Sequence, residues 1–171
     1  MRGRPVGRAL LALGGNLPPR EAWLDLGAEV LAEQGVTILA TTPRWNTRAI
    51  GSPPQPDFLN QLLLVEGARS GLGWLELAQA LELRAQRHRE VAHGPRTLDV
   101  DVILIEGESW DSAELSVPHP GLLRRPYLLR GAALLVPEWT HPGELRTISE
   151  LARAGLHGSW AWIDRGRDVS A

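Results

Sequence analysis

The residues best placed to do chemistry are the two aspartates of Gly94-Pro95-Arg96-Thr97-Leu98-Asp99-Val100-Asp101-Val102. Side chains alternate faces along a strand, so Asp99 and Asp101 project from one side while Val100 and Val102 pack behind. Two carboxylates held this close repel, and the pair is tolerable if it is solvated, shares a proton or holds a cation. Hard oxygen ligands on one strand, with room left for water and phosphate, suit Mg²⁺. Taken alone, an Asp-x-Asp pair is more simply a solvated strand face or an ion pair with Arg96. The flanking residues decide between these readings.

The rest of the composition narrows the chemistry. All 18 basic side chains are arginine and lysine is absent. A Walker A loop and Schiff-base chemistry both need that lysine, so any ATP site here is not a P-loop. Codon bias accounts for such a replacement, and arginine's rigid donor fork still suits phosphate oxygens. Cysteine is also absent, which excludes disulfides, thiolate metal sites and a cysteine nucleophile. A net charge of −2 gives no general attraction to nucleic acid or an anionic membrane. The start, Met1 to Leu13, is basic and then apolar, but the run Ala9 to Leu13 is too short for a signal peptide. No stretch approaches the roughly 20 apolar residues of a membrane span. A cytoplasmic protein is expected, with residues 1–171 forming one domain.

The elements that must position the aspartates follow from periodicity. Arg8 to Leu13 suits a strand running into the Gly14-Gly15 turn. A helix is expected from Arg20 to Gln34, with Trp23, Leu26, Gly27, Val30 and Leu31 as its buried stripe. Val36 to Thr42 and Phe58 to Val65 read as strands. Between them Thr47 to Asp57, with three prolines and a glycine, reads as a long functional loop. A second helix is expected from Gly73 to about Arg87, on the stripe Trp74, Leu77, Ala78 and Leu81. Gln79 and Glu82 lie at its edge, three residues apart and so neighbours. After a second polar loop comes the strand Leu98 to Ile105, then a helix from Tyr127 to Leu135. Thr147 and Glu150 form a capping box for a short last helix, and Trp160-Ala161-Trp162 suggests a closing strand. The order β-α-β-β-α-β matches a ferredoxin-like, split βαβ plan: an α+β fold whose antiparallel sheet is covered by helices in three αβα layers.

The sequence resembles the 6-hydroxymethyl-7,8-dihydropterin pyrophosphokinase family of folate synthesis. Gly94-Pro95-Arg96-Thr97-Leu98-Asp99-Val100-Asp101 carries the family pattern Gly-Pro-Arg-Thr-Leu-Asp-x-Asp intact. Gln55-Pro56-Asp57-Phe58-Leu59-Asn60 matches a second signature, and Val117-Pro118-His119-Pro120 with Arg125 a third. Leu13-Gly14-Gly15-Asn16 is similar to the family's Leu-Gly-Ser-Asn, with glycine in place of serine. Together they lie in family order from about residue 8 to 140, and that order is far more specific than any one of them.

The resemblance implies transfer of a pyrophosphoryl group from ATP to 6-hydroxymethyl-7,8-dihydropterin, releasing AMP. It implies Asp99 and Asp101 as ligands of two Mg²⁺ ions on the ATP phosphates, where charge builds as the β-phosphorus is attacked. Arg87, Arg89 and Arg96 match arginines that hold phosphate, the first two on a mobile segment that closes over ATP. His119 and Arg125 match contacts to nucleotide phosphate and ribose. Gln79 and Glu82 match residues on the ATP side, and adenine is held through backbone near Val102 and Ser116. For the pterin, Phe58 and Tyr127 match the aromatic rings that sandwich the heterocycle. Asn60 matches the amide on its aminopyrimidine edge, and Asp99 borders the pterin as well. Backbone around Thr47, Arg48, Ile50 and Gly51 supplies the remaining contacts. The proton acceptor stays open between water and Asp101.

Three departures from relatives stand out: a loop before Gly94 one residue shorter with His93 for tryptophan, Ala92 near a family arginine, and Glu114 for a basic residue. They bear on loop closure and ATP affinity. A different class, an RNA-binding sheet, needs a basic face with several aromatics on central strands. One phenylalanine, one tyrosine and a negative net charge argue against it.

Overall fold

The computed structural model describes residues 6–49, 54–87, 94–155 and 163–164. Expectations for Ile50, Gly51, Arg89, Ala92, His93 and Trp160-Ala161-Trp162 fall outside these described residues.

The central strand β1 (Gly7–Gly15) is followed by α1 (Arg20–Glu33) and β2 (Thr37–Thr41). Then come β3 (Trp45–Thr47), β4 (Phe58–Gly67), α2 (Gly71–Arg84) and β5 (Asp99–Ile105). Strand β1 lies between β4 and β5, antiparallel to both, and β2 pairs with the far side of β4. The order β5-β1-β4-β2 is therefore the split βαβ arrangement the element order implies.

Strand β3 is an addition that sequence pattern missed. It continues the β2 edge along β4, pairing Trp45 with Asn60 and Thr47 with Phe58. Thr42-Pro43-Arg44 interrupts that edge, because proline has no amide hydrogen for the ladder. Thr47, expected in a loop, thus ends a strand. A short β10 (Ile163–Asp164) pairs outside β3.

Beyond β5 the chain forms a hairpin, β6 (Trp110–Asp111) and β7 (Ser116–Val117), then α3 (Pro126–Leu135). A second hairpin, β8 (Thr140–His141) and β9 (Arg146–Thr147), leads into α4 (Ile148–Gly155). Two-residue strands leave no periodicity to read, so neither hairpin was expected. The capping box is present: Thr147 N donates to Glu150 Oε2 at 2.9 Å and Glu150 N to Thr147 Oγ1 at 3.2 Å. Helix α2 starts earlier than the apolar stripe suggested, because Ser70 Oγ accepts from Gly73 N at 3.0 Å and caps it.

Alternation along β1 divides the interior into two layers. Ala9, Leu11 and Leu13 pack with Leu24 and Leu31 of α1 and Trp74, Leu77 and Leu81 of α2. Leu10 and Ala12 pack on the other face with Leu128, Leu129 and Ala132 of α3 and Leu151 of α4. In α1 the buried residues are Leu24, Gly27, Val30 and Leu31, while Trp23 and Leu26 are only half-buried against the same cluster. Helices on both faces complete the three αβα layers.

Candidate active site

Strand β5 carries Val100 and Val102 into the α1/α2 layer and Ile103 into the other, so Asp99 and Asp101 lie on the α3/α4 face. On β4 the matching set is Phe58, Asn60 and Leu62. Between them runs β1, where Gly14 faces both Asn60 and Asp99, and Ala12 faces both Leu62 and Asp101. The sheet therefore places the acidic pair and the Phe58/Asn60 pair on one face, at one end, with the smallest side chains between.

The two aspartates differ in their partners. Asp99 Oδ1 accepts from Arg87 at 2.5 Å and Asp99 Oδ2 from Arg96 at 2.8 Å. Arg87 also pairs with Glu82, which is 9% exposed and accepts from Val100 N at 3.0 Å. Burial raises the Glu82 carboxyl above its ordinary range, opposed by that amide bond and by Arg87. Asp101 keeps 32% of its side chain exposed and faces His119 Nε2 at 3.7 Å. Burial first, and then the Asp99 charge, push its carboxyl up to about 6. The expected ion pair between Arg96 and an aspartate exists, but it engages Asp99 alone.

His119 is held by the turn that follows it. Gly121 N donates to His119 Nδ1 at 2.9 Å, so the neutral ring carries its proton on Nε2, towards Asp101. Burial and the nearby Arg125 charge lower its pKa. Arg125 itself is exposed. Tyr127, in the first turn of α3, packs part-buried against the α3/α4-face cluster; burial chiefly raises its hydroxyl pKa, the Arg125 charge opposes the rise, and Asp101 and Asp99 add to it. Phe58, half-buried, lies under the Arg96 guanidinium at 5.0 Å from its ring centroid.

Sequence reasoning overlooked Asn16. It is 1% exposed, and its Nδ2 donates to Gln55 Oε1 and Pro56 O, each at 2.9 Å. Its Oδ1 accepts from Arg96 N at 2.8 Å, and its backbone N donates to Arg96 O at 3.0 Å. One buried amide thus ties the loop before β4 to the loop before β5. The signal was present in Leu13-Gly14-Gly15-Asn16, where a buried asparagine after a strand needs several partners. Gly15 completes the clasp, because a Cβ there would stand 2.1 Å from Thr97 O. A serine has no room at this position without a shift of that loop.

Other expected residues spread outwards from this centre. Thr47 is buried and its Oγ1 accepts from Asn60 Nδ2 at 2.7 Å. Arg48, at the end of β3, and Gln79, on α2, are exposed. Gln79 and Glu82 separate in environment, since Glu82 alone turns inward to β5. Val102 is buried in the α1/α2 layer, and Ser116 pairs with Asp111 in the hairpin beside β5. Glu114 is exposed at that hairpin's tip.

Among the described residues, no three or more His, Cys, Asp or Glu side chains gather as a ready metal cage. A pair of carboxylates is nonetheless the donor set that suits Mg²⁺, which takes one or two carboxylates and completes its shell with phosphate and water. Asp101, part-exposed and, among the described residues, without an arginine in hydrogen-bond contact, fits that role directly. Asp99 fits it once an arginine yields an oxygen. No helix among the described residues is long and apolar enough to cross a membrane.

Comparison with known proteins identifies the family. The family model described as 7,8-dihydro-6-hydroxymethylpterin-pyrophosphokinase matches residues 10–137. A 2-amino-4-hydroxy-6-hydroxymethyldihydropteridine pyrophosphokinase of Pseudomonas aeruginosa is 35% identical over 153 residues, covering 87% of this chain and 92% of that protein. One from Synechocystis sp. is 33% identical over 144 residues, covering 84% and 73%. A crystal structure of Plasmodium falciparum HPPK-DHPS superposes with a TM-score of 0.66 at 14% identity. It covers 90% of this chain but only 44% of that larger one, and it supports the fold alone.

Proposed function

Since the chain belongs to the 7,8-dihydro-6-hydroxymethylpterin-pyrophosphokinase family, diphosphotransferases of folate synthesis, we propose that it joins ATP and the pterin across the Asp99/Asp101 face with Mg²⁺. In that reaction the pterin's hydroxymethyl oxygen forms a bond to the β-phosphorus of ATP. The bond from that phosphorus to the α,β-bridging oxygen breaks, and AMP leaves with the electron pair. The hydroxyl proton passes to water or to Asp101.

The observation that carries the reading is the shared face. Asp99 and Asp101 project beside Phe58 and Asn60, with only Gly14 and Ala12 between them. Phe58 and Tyr127 would hold the flat heterocycle by offset stacking, and Asn60 would bond its aminopyrimidine edge. Backbone at Thr47, Arg48, Ile50 and Gly51 would complete that pocket. Arg87, Arg89 and Arg96 would bind phosphate oxygens, and His119 and Arg125 would reach the nucleotide beside Ser116, Val102, Gln79 and Glu82. Bound at Asp99 and Asp101, two Mg²⁺ ions would supply charge neutralisation on the phosphates. The protein's own contribution is then mostly positioning and fixed charge.

Arg87 and Arg96 both pair with Asp99. Phosphate gives both guanidiniums a second anionic partner with matching fork geometry, so substrate binding would free the Asp99 oxygens for the cation. Two small soluble substrates also fit a cytoplasmic location. The test is to supply ATP, Mg²⁺ and 6-hydroxymethyl-7,8-dihydropterin and follow the nucleotide product. AMP in step with pterin pyrophosphate, abolished by a chelator, is expected. ADP as product, or turnover indifferent to the chelator, overturns the reading.

A further inference from the structure

Across the open end of the sheet one row of residues runs Trp45, Asn60, Gly14, Asp99, each paired with the next on the neighbouring strand. Gly14 sits in regular strand and needs no left-handed backbone. Its requirement is space. A Cβ at Gly14 would stand 2.4 Å from Asn60 Oδ1 and 3.5 Å from Asn60 Cγ, with Leu59 O next at 3.7 Å. What a side chain at position 14 would displace is the amide oxygen of Asn60.

The other end of that amide is also fixed. Asn60 Nδ2 donates to Thr47 Oγ1 at 2.7 Å, and Asn60 and Thr47 are 6% and 8% exposed. We propose that Gly14 and Thr47 are positioning residues that hold the Asn60 amide in one sense. Thr47 takes up the NH₂ group, and the missing side chain of Gly14 lets the carbonyl oxygen lean over β1 towards the aspartates. This edge of the site therefore presents an acceptor. It selects a heterocycle that offers N–H there, such as an amino group, over an analogue that offers a lone pair, because buried polar groups left unpaired are costly. The inference rests on the proposed contact of Asn60 with the pterin.

The test compares Thr47→Val, Gly14→Ala, Asn60→Ser and the double variant Gly14→Ala with Asn60→Ser. Read-outs are dissociation constants for 6-hydroxymethyl-7,8-dihydropterin and its 2-oxo analogue, KM for ATP, and Tm. Thr47→Val should weaken pterin binding about tenfold and narrow the 2-amino over 2-oxo preference by a similar factor. The ATP KM should stay within about threefold, because the amide serves the pterin and not the nucleotide. Gly14→Ala should weaken the pterin at least as much, and adding it to Asn60→Ser should cost little more than Asn60→Ser alone. Wild-type pterin affinity and preference in Thr47→Val, or losses from Gly14→Ala and Asn60→Ser that multiply, would overturn the proposal. Wild-type affinity in Asn60→Ser would instead sink the Asn60 contact itself. If Gly14→Ala lowers Tm too far to assay, Thr47→Val decides alone.

Discussion

The proposed heterocycle side and the proposed phosphate side of this site are built on different principles. On the heterocycle side, Thr47, Asn60 and Asn16 are buried polar residues on or beside regular strands, with side-chain bonds of 2.7–2.9 Å to neighbouring protein groups. On the phosphate side, Arg87 and Arg96 sit in loops and spend their charge on Asp99, Arg125 is exposed, and Asp101 faces His119 while the charges of Arg125, Arg87 and Arg96 act on it from farther off. Shape recognition is thus preformed, whereas charge recognition must be exchanged: the arginines that shield an aspartate are the ones that would meet phosphate. Removing a residue from the first side should cost binding or stability, and removing one from the second should cost turnover.

The sharpest division comes from Asp101→Ala. Turnover should fall a thousandfold or more, on the scale of losing a main electrostatic element of transfer, while pterin affinity changes less than about threefold. An equal loss of both, by steady-state kinetics and pterin titration, would break the comparison. Arg96→Ala should sit between the two sides, since its guanidinium meets both the Phe58 ring and Asp99. It should lower turnover about a hundredfold and weaken the pterin severalfold, whereas Arg87→Ala lowers turnover alone.

Asn16→Asp keeps the acceptor for Arg96 N but loses the two donors and buries a charge, so denaturant unfolding should show a loss of about 2–3 kcal/mol. The smallest effect concerns pH. Asp101 ionises at about 6 in the folded chain against 3.8 ordinarily, so the fold binds its proton more tightly than the unfolded chain does. Its penalty is complete above pH 6, shrinks as pH falls towards 3.8, and is absent below that. Asp101→Asn should therefore stabilise the ligand-free protein at pH 7 by about 1 kcal/mol, discounted because a third of the side chain is exposed, and by nothing near pH 3. Equal stabilisation at both pH values would show that the gain is not electrostatic.

Much of the frame could be read from sequence because it rests on long periodic segments. Strand β1 runs on through Gly14 and Gly15, which the sequence reads as its closing turn, but both large helices, β4 and β5 lie close to where apolar runs or helical stripes place them, and Thr147/Glu150 caps α4 as its spacing implies. Strand β3 and the hairpins were invisible, because two or three residues carry no period and take their conformation from neighbours. At the site, residue types in order were enough to suggest Asp99, Asp101, Phe58 and Asn60. Their pairings were not. That Asp99 holds two arginines in hydrogen-bond contact while Asp101 faces His119 depends on where Arg87 and Arg96 land in the chain before β5. The roles of Asn16, Gly14 and Gly15 depend on contacts with residues 39 or more positions away. A single sequence does not reveal close approach of backbones distant along the chain.

The proposed role of Asp99 and Asp101 is to hold the cations that would accompany bound nucleotide. It is tested most directly by counting Mn²⁺ ions, as a spectroscopic stand-in for Mg²⁺, bound with a non-hydrolysable ATP analogue by electron paramagnetic resonance. The wild-type protein should hold two ions per chain, and Asp101→Asn should lose at least one while still binding pterin. Two ions held with unchanged affinity by Asp101→Asn would contradict the account.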